Sequence, residues 1–383
     1  MQKKNLIGVF IALVFLATAV ATFPCLVMAA ESSGAGGPGI PVSPSLPPGR
    51  KFNSALALQV FLAHPDGRPG AGNPWLGRTP ARRPLAIPPG RLWYVQPDAK
   101  VDRQLLIQEM TIQRIPGLEL WKGVSDSDLA LLADLRDLRI LMIVGPDVTD
   151  AGLDQLKGLV ALQELDLSGT HVSDAWLEQL KGFPALRSLG LWGTGVSDVG
   201  SEHLKGLTAL QVLNLSQTKL TDRGLNNLEG LTALQLLNLQ STDVTDAGLE
   251  SLKAMTALQW LNLSGTEVTG PGLQHLKDCA VLERLMLINT PLTDAGLENL
   301  KNLTALGDLS LSDTHINDAG LANLAKLTAL QSLDIADTQV TDAGLDHLKG
   351  LAALRMLSVE KTKVTDAGVA ALRKAMPHCR IDH

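Results

Sequence analysis

Val148–His171 reads VTDAGLDQLKGLVALQELDLSGTH, and this 24-residue phrase restarts at Val172, Val196, Leu220, Val244, Val268, Leu292, Ile316 and Val340. A looser copy begins at Val124, and a clipped one at Val364 runs to His383. Within the phrase, Leu165 and Leu167 alternate with polar residues, which is the period of a strand. Glu164, Asp166 and Ser168 then point away from those leucines. Val148–Leu153 opens a short helix with Leu153 and Leu156 on one face. In all eleven copies the Thr149 column holds Ser, Thr or Asn, residues that accept a bond from the free amides of a first helical turn. The next column is Asp in ten of the eleven, where a negative charge suits a helix N-terminus. Lys recurs near the other end, and Gly158, Gly182, Gly206, Gly230 and Gly350 read as helix stops.

One unit holds about seven interior aliphatics worth roughly 2 kcal/mol each when buried. Ordering its residues costs roughly 1.5 kcal/mol apiece, so a single unit does not fold alone. The units must stack, each covering its neighbour's leucines, with strands in parallel about 4.8 Å apart and helices outside.

Fixed self-similarity at this period, built on L-x-x-L-x-L, resembles the leucine-rich repeat family from about Gly117 to the C-terminus. The resemblance implies an α/β leucine-rich repeat solenoid: a right-handed horseshoe with parallel strands on the concave face and short helices on the convex face. Thr stands in every full copy from Thr170 to Thr362, where the best-known members carry Asn. The V/I-T-D-x-G-L openings look closest to a subfamily whose usual Cys at that column is absent here.

The rest of the chain divides by composition. Residues 1–30 read as a signal peptide or signal anchor, with Lys3 and Lys4 before the apolar Leu6–Phe23 and small residues at Ala29 and Ala30. Residues 31–103 read as a Pro/Gly-rich, basic, largely disordered linker. Residues 1–103 hold 11 of the 33 Lys+Arg and 4 of the 39 Asp+Glu, or +7; the remainder carries 22 against 35, or −13. The repeat domain is expected over 104–383, with an N-terminal cap at 104–123, repeats at 124–363 and a capping repeat at 364–383. Leu118-Glu119-Leu120 reads as the cap's strand, one residue out of register with the copies that follow.

Candidate chemistry is sparse. The Asp column supplies one carboxylate per repeat in a capping position, whereas a calcium site needs six or more converging oxygens. His203, His275 and His347 share a column but recur every third repeat, too far apart for a common metal. Cys279 and Cys379 lie about four repeats apart, roughly 19 Å at the strand spacing, beyond disulfide reach. No catalytic grouping, phosphate-cradling loop or zinc spacing breaks the periodic background, so neither an enzyme nor a cofactor is expected. The acidic solenoid argues against nucleic acid, and a membrane enters only if the leader stays uncleaved.

The breaks in periodicity fall on the strand positions that touch no core. Polar at both ends of the stack, these positions hold Trp192, Val212, Leu236, Trp260, Met286 and Ile288 between them, with Asn214, Asn238, Asn262 and Arg284 interleaved. An exposed apolar centre with two Trp and one Arg inside a polar rim has the character of a binding hot spot. The expectation is a secreted, periplasmic or envelope-associated scaffold that binds a protein partner there. Alternatives are a glycan, with Trp192 and Trp260 stacking on sugar rings, or a ubiquitin-ligase-type substrate-recognition subunit, suggested by the V-T-D-x-G-L openings.

Overall fold

The structure, a computed structural model, describes residues 49–63, 73–121 and 123–383. The leader at 1–30 and the spacer up to residue 48 lie outside the described residues. Among the described residues no helix is long and apolar enough to cross a membrane.

Every full repeat contributes one short strand to a single open sheet. After β6 (Gly117–Trp121) and β7 (Ile140–Val144) come three-residue strands: β8 (Glu164–Asp166), β9 (Ser188–Gly190), β10 (Val212–Asn214), β11 (Leu236–Asn238) and β12 (Trp260–Asn262). The series continues with β13 (Arg284–Met286), β14 (Asp308–Ser310), β15 (Ser332–Asp334) and β16 (Met356–Ser358). The stack ends at β17 (Arg380–Asp382), whose Ile381 pairs in phase with Leu357. All are parallel and in register, so Leu165, Leu189, Leu213, Leu237 and Leu261 form one buried row. Leu118 joins that row through Leu141. The one-residue offset in sequence is therefore absorbed by a loop one residue shorter, not by a slipped strand. On the helical side, runs of three to seven residues carry the second set of leucines, and one hydrophobic core extends from Phe52 to Ile381.

The segment expected to be a disordered linker departs from that expectation wherever it is described. It forms β1 (Arg50–Phe52), β2 (Leu58–Leu62), β3 (Trp75–Arg78), β4 (Leu85–Ile87) and β5 (Trp93–Pro97). The first and fourth pair as a separate two-stranded sheet, while β5, β2 and β3 extend the main sheet beyond β6. Val95 meets Leu118 in parallel, and β2 runs antiparallel between β5 and β3. Phe52, Leu58, Val60 and Val95 are fully buried in the shared core. These strands, with the helix α1 (Arg103–Gln113), are the cover that a solenoid needs at its first repeat. The cap is thus much larger than 104–123. At the other end α2 (Asp366–Ala375) and β17 close the stack, burying Leu372, Met376 and Ile381.

The Asp column has a different role from the one read in sequence. Each carboxylate except that of Asp366, in the closing copy, reaches forward to the next repeat. Asp126 accepts from the Thr149 amide at 2.8 Å and hydroxyl at 2.7 Å, and Asp198 does the same to Thr221. Asp222 and Thr245, Asp318 and Thr341, and Asp342 and Thr365 repeat the arrangement. The Thr hydroxyl meanwhile accepts from the amide two residues on, as the capping reading expects. The Asp is therefore a staple between repeats, and Thr is the shared node.

This explains which glycines matter. A Cβ at Gly152, Gly224, Gly248 or Gly344 would overlap the carboxylate of the preceding repeat's Asp. The glycines read as helix stops do not adopt a left-handed conformation, and at Gly182, Gly206, Gly230 and Gly350 a Cβ would meet nothing within 4 Å. The left-handed positions are instead the residues before the buried Thr column, such as Gly169, Gln217 and Asp337. That Thr turns its hydroxyl to the carbonyl three residues back, as Thr218 does to Leu215 at 2.6 Å.

The ladder has one gap. Gly270-Pro271 replaces Asp-Ala, and the backbones of Gly270 and Gly296 come so close that a Cβ on either would overlap the other's Cα. Thr293 then makes only long bonds of 3.2 and 3.4 Å to the Thr269 carbonyl. One repeat earlier Asp246 accepts from Thr269, Gly270 and Gly272, and these bonds outweigh burial and hold its carboxyl below the usual value.

Candidate functional site on the strand face

In-register strands place the outward side chains in three rows across the sheet. The first runs Gly117, Ile140, Glu164, Ser188, Val212, Leu236, Trp260, Arg284 and Asp308. The second runs Glu119, Met142, Asp166, Gly190, Asn214, Asn238, Asn262, Met286 and Ser310. Residues just past the strand ends, Trp192 and Ile288 among them, make the third. All ten residues singled out in the sequence therefore share this face.

They are not equally presented. Trp192, Trp260, Met286 and Ile288 are half-buried and Arg284 is exposed. Val212 and Leu236, expected to face solvent, are only 2% and 6% exposed, yet neither belongs to the leucine core. Each sits in a row whose neighbours stand about 4.8 Å away on both sides, so flanking side chains close over a medium-sized one. The apolar surface offered to a partner is thus carried by the two Trp, Met286 and Ile288.

The Asn row is also committed in part. Asn214 Oδ1 accepts from the Ser216 amide and hydroxyl, Asn238 Oδ1 from the Gln240 amide, and Asn262 Oδ1 from the Ser264 amide. Asp166 and Asp334 make the same turn with Ser168 and Ala336. These carbonyl oxygens terminate the strand instead of orienting a ligand. Asn262 is buried, with its amide donating to Gln240 at 3.3 Å. Arg284 lies 2.9 Å from Asp308 in a half-exposed ion pair, which ties the guanidinium at the edge of the patch.

A second group was missed in the sequence because its partners come from strands read as linker. Tyr94, Ala63 and Ile140, with Phe61 and Met142 packed on them, form an apolar cluster separate from the main core, on the outward side of β2, β5 and β7. Phe61 and Tyr94 stack at 5.2 Å and 15°. Gly117 makes the room, since a Cβ there would stand 2.5 Å from Tyr94 Cβ. Around this floor lie Glu119, Glu164 and Asp166, two of which were read as solvated rim. Glu119 is only 8% exposed; burial and then the Asp166 charge push its carboxyl up to about 7 against a bond from Trp121. Burial alone takes Glu164 to about 7, and it raises Asp166 despite two bonds from Ser168. Gly190 leaves space for Asp166, whose carboxylate fills the volume a Cβ there would need. Burial, then the charges of Glu119 and Glu164, push the Tyr94 hydroxyl up, and its oxygen accepts from Asn73 at 3.1 Å.

Comparisons with known proteins fit this architecture. Leucine rich repeat family models match residues 184–244 and 326–348. No curated protein matches the sequence. Among solved structures, an internalin from Listeria monocytogenes is 22% identical with a TM-score of 0.53, over 69% of this chain and 77% of its own. A TDR receptor is 16% identical with a TM-score of 0.51, over 72% of this chain and 48% of its own. A Leptospira interrogans LRR protein is 16% identical with a TM-score of 0.44, over 71% and 91%. At these identities the likeness speaks to the fold alone. The repeat period, the in-register ladder it builds and the matched family models show that this chain is a leucine-rich repeat solenoid.

Proposed function

We propose that the chain is a non-catalytic scaffold, exported to the cell envelope or beyond, that binds a protein partner on its strand face. Leucine-rich repeat domains serve generally as protein-interaction scaffolds, and the finer reading rests on one observation. Trp192, Trp260, Met286 and Ile288 stay half-exposed on a face where the core requires no apolar residue. Indoles combine wide apolar area with one donor, which suits a protein interface. A glycan partner is the weaker reading, because hydroxyl recognition would call on Asn oxygens that already terminate strands. Export rests on the Lys-flanked apolar leader of residues 1–30.

The test is capture from envelope extract with the whole mature chain as bait, since a cut at residue 104 would tear β5 from β6. Trp260→Ala should reduce capture of the specific partner by about thirtyfold, the equivalent of about 2 kcal/mol. An unchanged capture with both Trp192 and Trp260 replaced by Ala would refute the proposed surface.

A further inference from the structure

The N-terminal end of the strand face combines an apolar floor with acids that have no ion-pair partner among the described residues. Ile140 is fully buried, and half-buried Met142 and Val144 lie beside it on the same strand. Tyr94 and the 47%-exposed Trp121 flank them. Three carboxylates border the floor: Glu119 two strands from Asp166 in one row, and Glu164 in the next. Glu119 is more than nine-tenths buried. Among the described residues none of the three carboxylates has a salt-bridge partner. Elsewhere several exposed acids do have cations, as in Asp154–Lys157, Glu178–Lys181 and Arg284–Asp308, whereas these three are the acids drawn in beside the apolar floor. Buried acids without countercharge are costly in the free protein, and that cost is relieved when a cation docks against them.

We propose that this surface is the docking site for a segment of a protein partner that presents a Lys or Arg flanked by apolar side chains. The alkyl stem of such a residue covers Met142 and Val144 while its charged head reaches Glu119, Glu164 and Asp166. Trp121 offers an indole at the edge of the site for the cation or its apolar neighbours. The occupant follows from charge complementarity, which favours a cation over an acidic or neutral segment. The inference rests on the strand-face reading above and names the chemistry of its partner.

An array of short random peptides probed with the full chain tests it. The strongest binders should be enriched in Lys or Arg next to aliphatic or aromatic residues. Acetylating the lysines of the best Lys peptide should abolish its binding, a result that needs no change to the protein. The Glu119→Gln/Glu164→Gln double variant, which keeps side-chain shape, should bind that peptide at least about tenfold more weakly in calorimetry. Binders without cations, or binding indifferent to acetylation or to the double variant, would overturn the proposal. If Trp260→Ala removes binding while the double variant does not, the surface lies at the centre of the face and only this inference falls. If neither variant matters, both readings fall. Self-association in sedimentation that the double variant abolishes would assign the surface to a second copy and overturn the basic partner.

Discussion

The buried carboxylates make a quantitative statement about stability that needs no partner. Glu119 and Glu164 rise from an ordinary value of 4.5 to about 7 in the fold. At about 1.4 kcal/mol per tenfold change in proton affinity, each rise corresponds to a ceiling of about 3.5 kcal/mol. Between pH 4.5 and 7 the native state holds protons that the unfolded chain has released. The stability from these two groups is therefore fully present below 4.5 and lost as pH rises through 7. Burial raises Asp166 in the same direction, while Asp246, held below its usual value, works oppositely at lower pH. Comparing variant with parent cancels all groups the two share. Gln mimics the protonated acid, so Glu119→Gln should match the parent near pH 4. It should be more stable by about 2–3 kcal/mol at pH 8, read as urea midpoints across a pH series. Glu164→Gln should follow with a smaller gain, because that side chain is only half-buried. Parallel pH curves for variant and parent, or a Glu119→Gln protein less stable at pH 8, would show that these acids are solvated or compensated and refute the reasoning.

The staple ladder predicts opposite fates for two glycines. Gly224→Ala drives a methyl into Asp198 and should cost about 2–4 kcal/mol, whereas Gly206→Ala meets open space and should stay within about 0.5 kcal/mol or gain slightly. At the gap in the ladder, amide hydrogen exchange across Thr293–Gly296 should outpace that across the stapled Thr341–Gly344; equal protection would mean that the Gly270–Gly296 contact holds the repeats as firmly as a carboxylate. Removing Val364–His383 uncovers Leu345, Leu348 and Leu357 and should cause aggregation or a clear fall in melting temperature, and an unchanged monomeric melt would show that this segment is no cap. Trp260→Ala, at a half-buried position outside the leucine core, should cost about 1 kcal/mol of stability, small beside its expected effect on partner capture.

What the sequence disclosed follows from what each repeat experiences. A leucine such as Leu213 meets the same neighbours above and below as Leu189 and Leu237 do, so a 24-residue period reports a three-dimensional environment directly. The cap strands have no such repetition. Leu85–Ile87 stands between Pro84 and Pro88, and three residues are too few to display alternation. Only pairing with distant partners, β4 with β1, β3 with β2, β2 with β5 and β5 with β6, a long-range property, makes them strands. The glycine columns show a second limit. Both recur with the period, yet only one touches the preceding repeat's Asp, and recurrence alone does not separate a steric demand from a tolerated choice.

The same limit acts on the strand face. Its membership was legible, because alternation assigns every outward residue of every repeat. The exposure of Val212 and Leu236 was not, since it depends on side chains that only the stack brings together. Glu164 and Asp166 looked like rim residues when the sheet was taken to begin near Leu118. Once β5 and β2 extend that sheet, Tyr94 and Phe61 stand where solvent was expected, and the two acids become members of an enclosed group with Glu119. The cap thus does more than cover leucines. By lengthening the face it turns an ordinary polar edge into the most strongly perturbed set of charges on the strand face, and places that set beside aromatic surface at one end while Trp260 and Met286 remain half-exposed near the centre. A partner that spans both ends of this gradient needs a cation at one point and apolar side chains further along, a spacing fixed by the number of strands between β6 and β12.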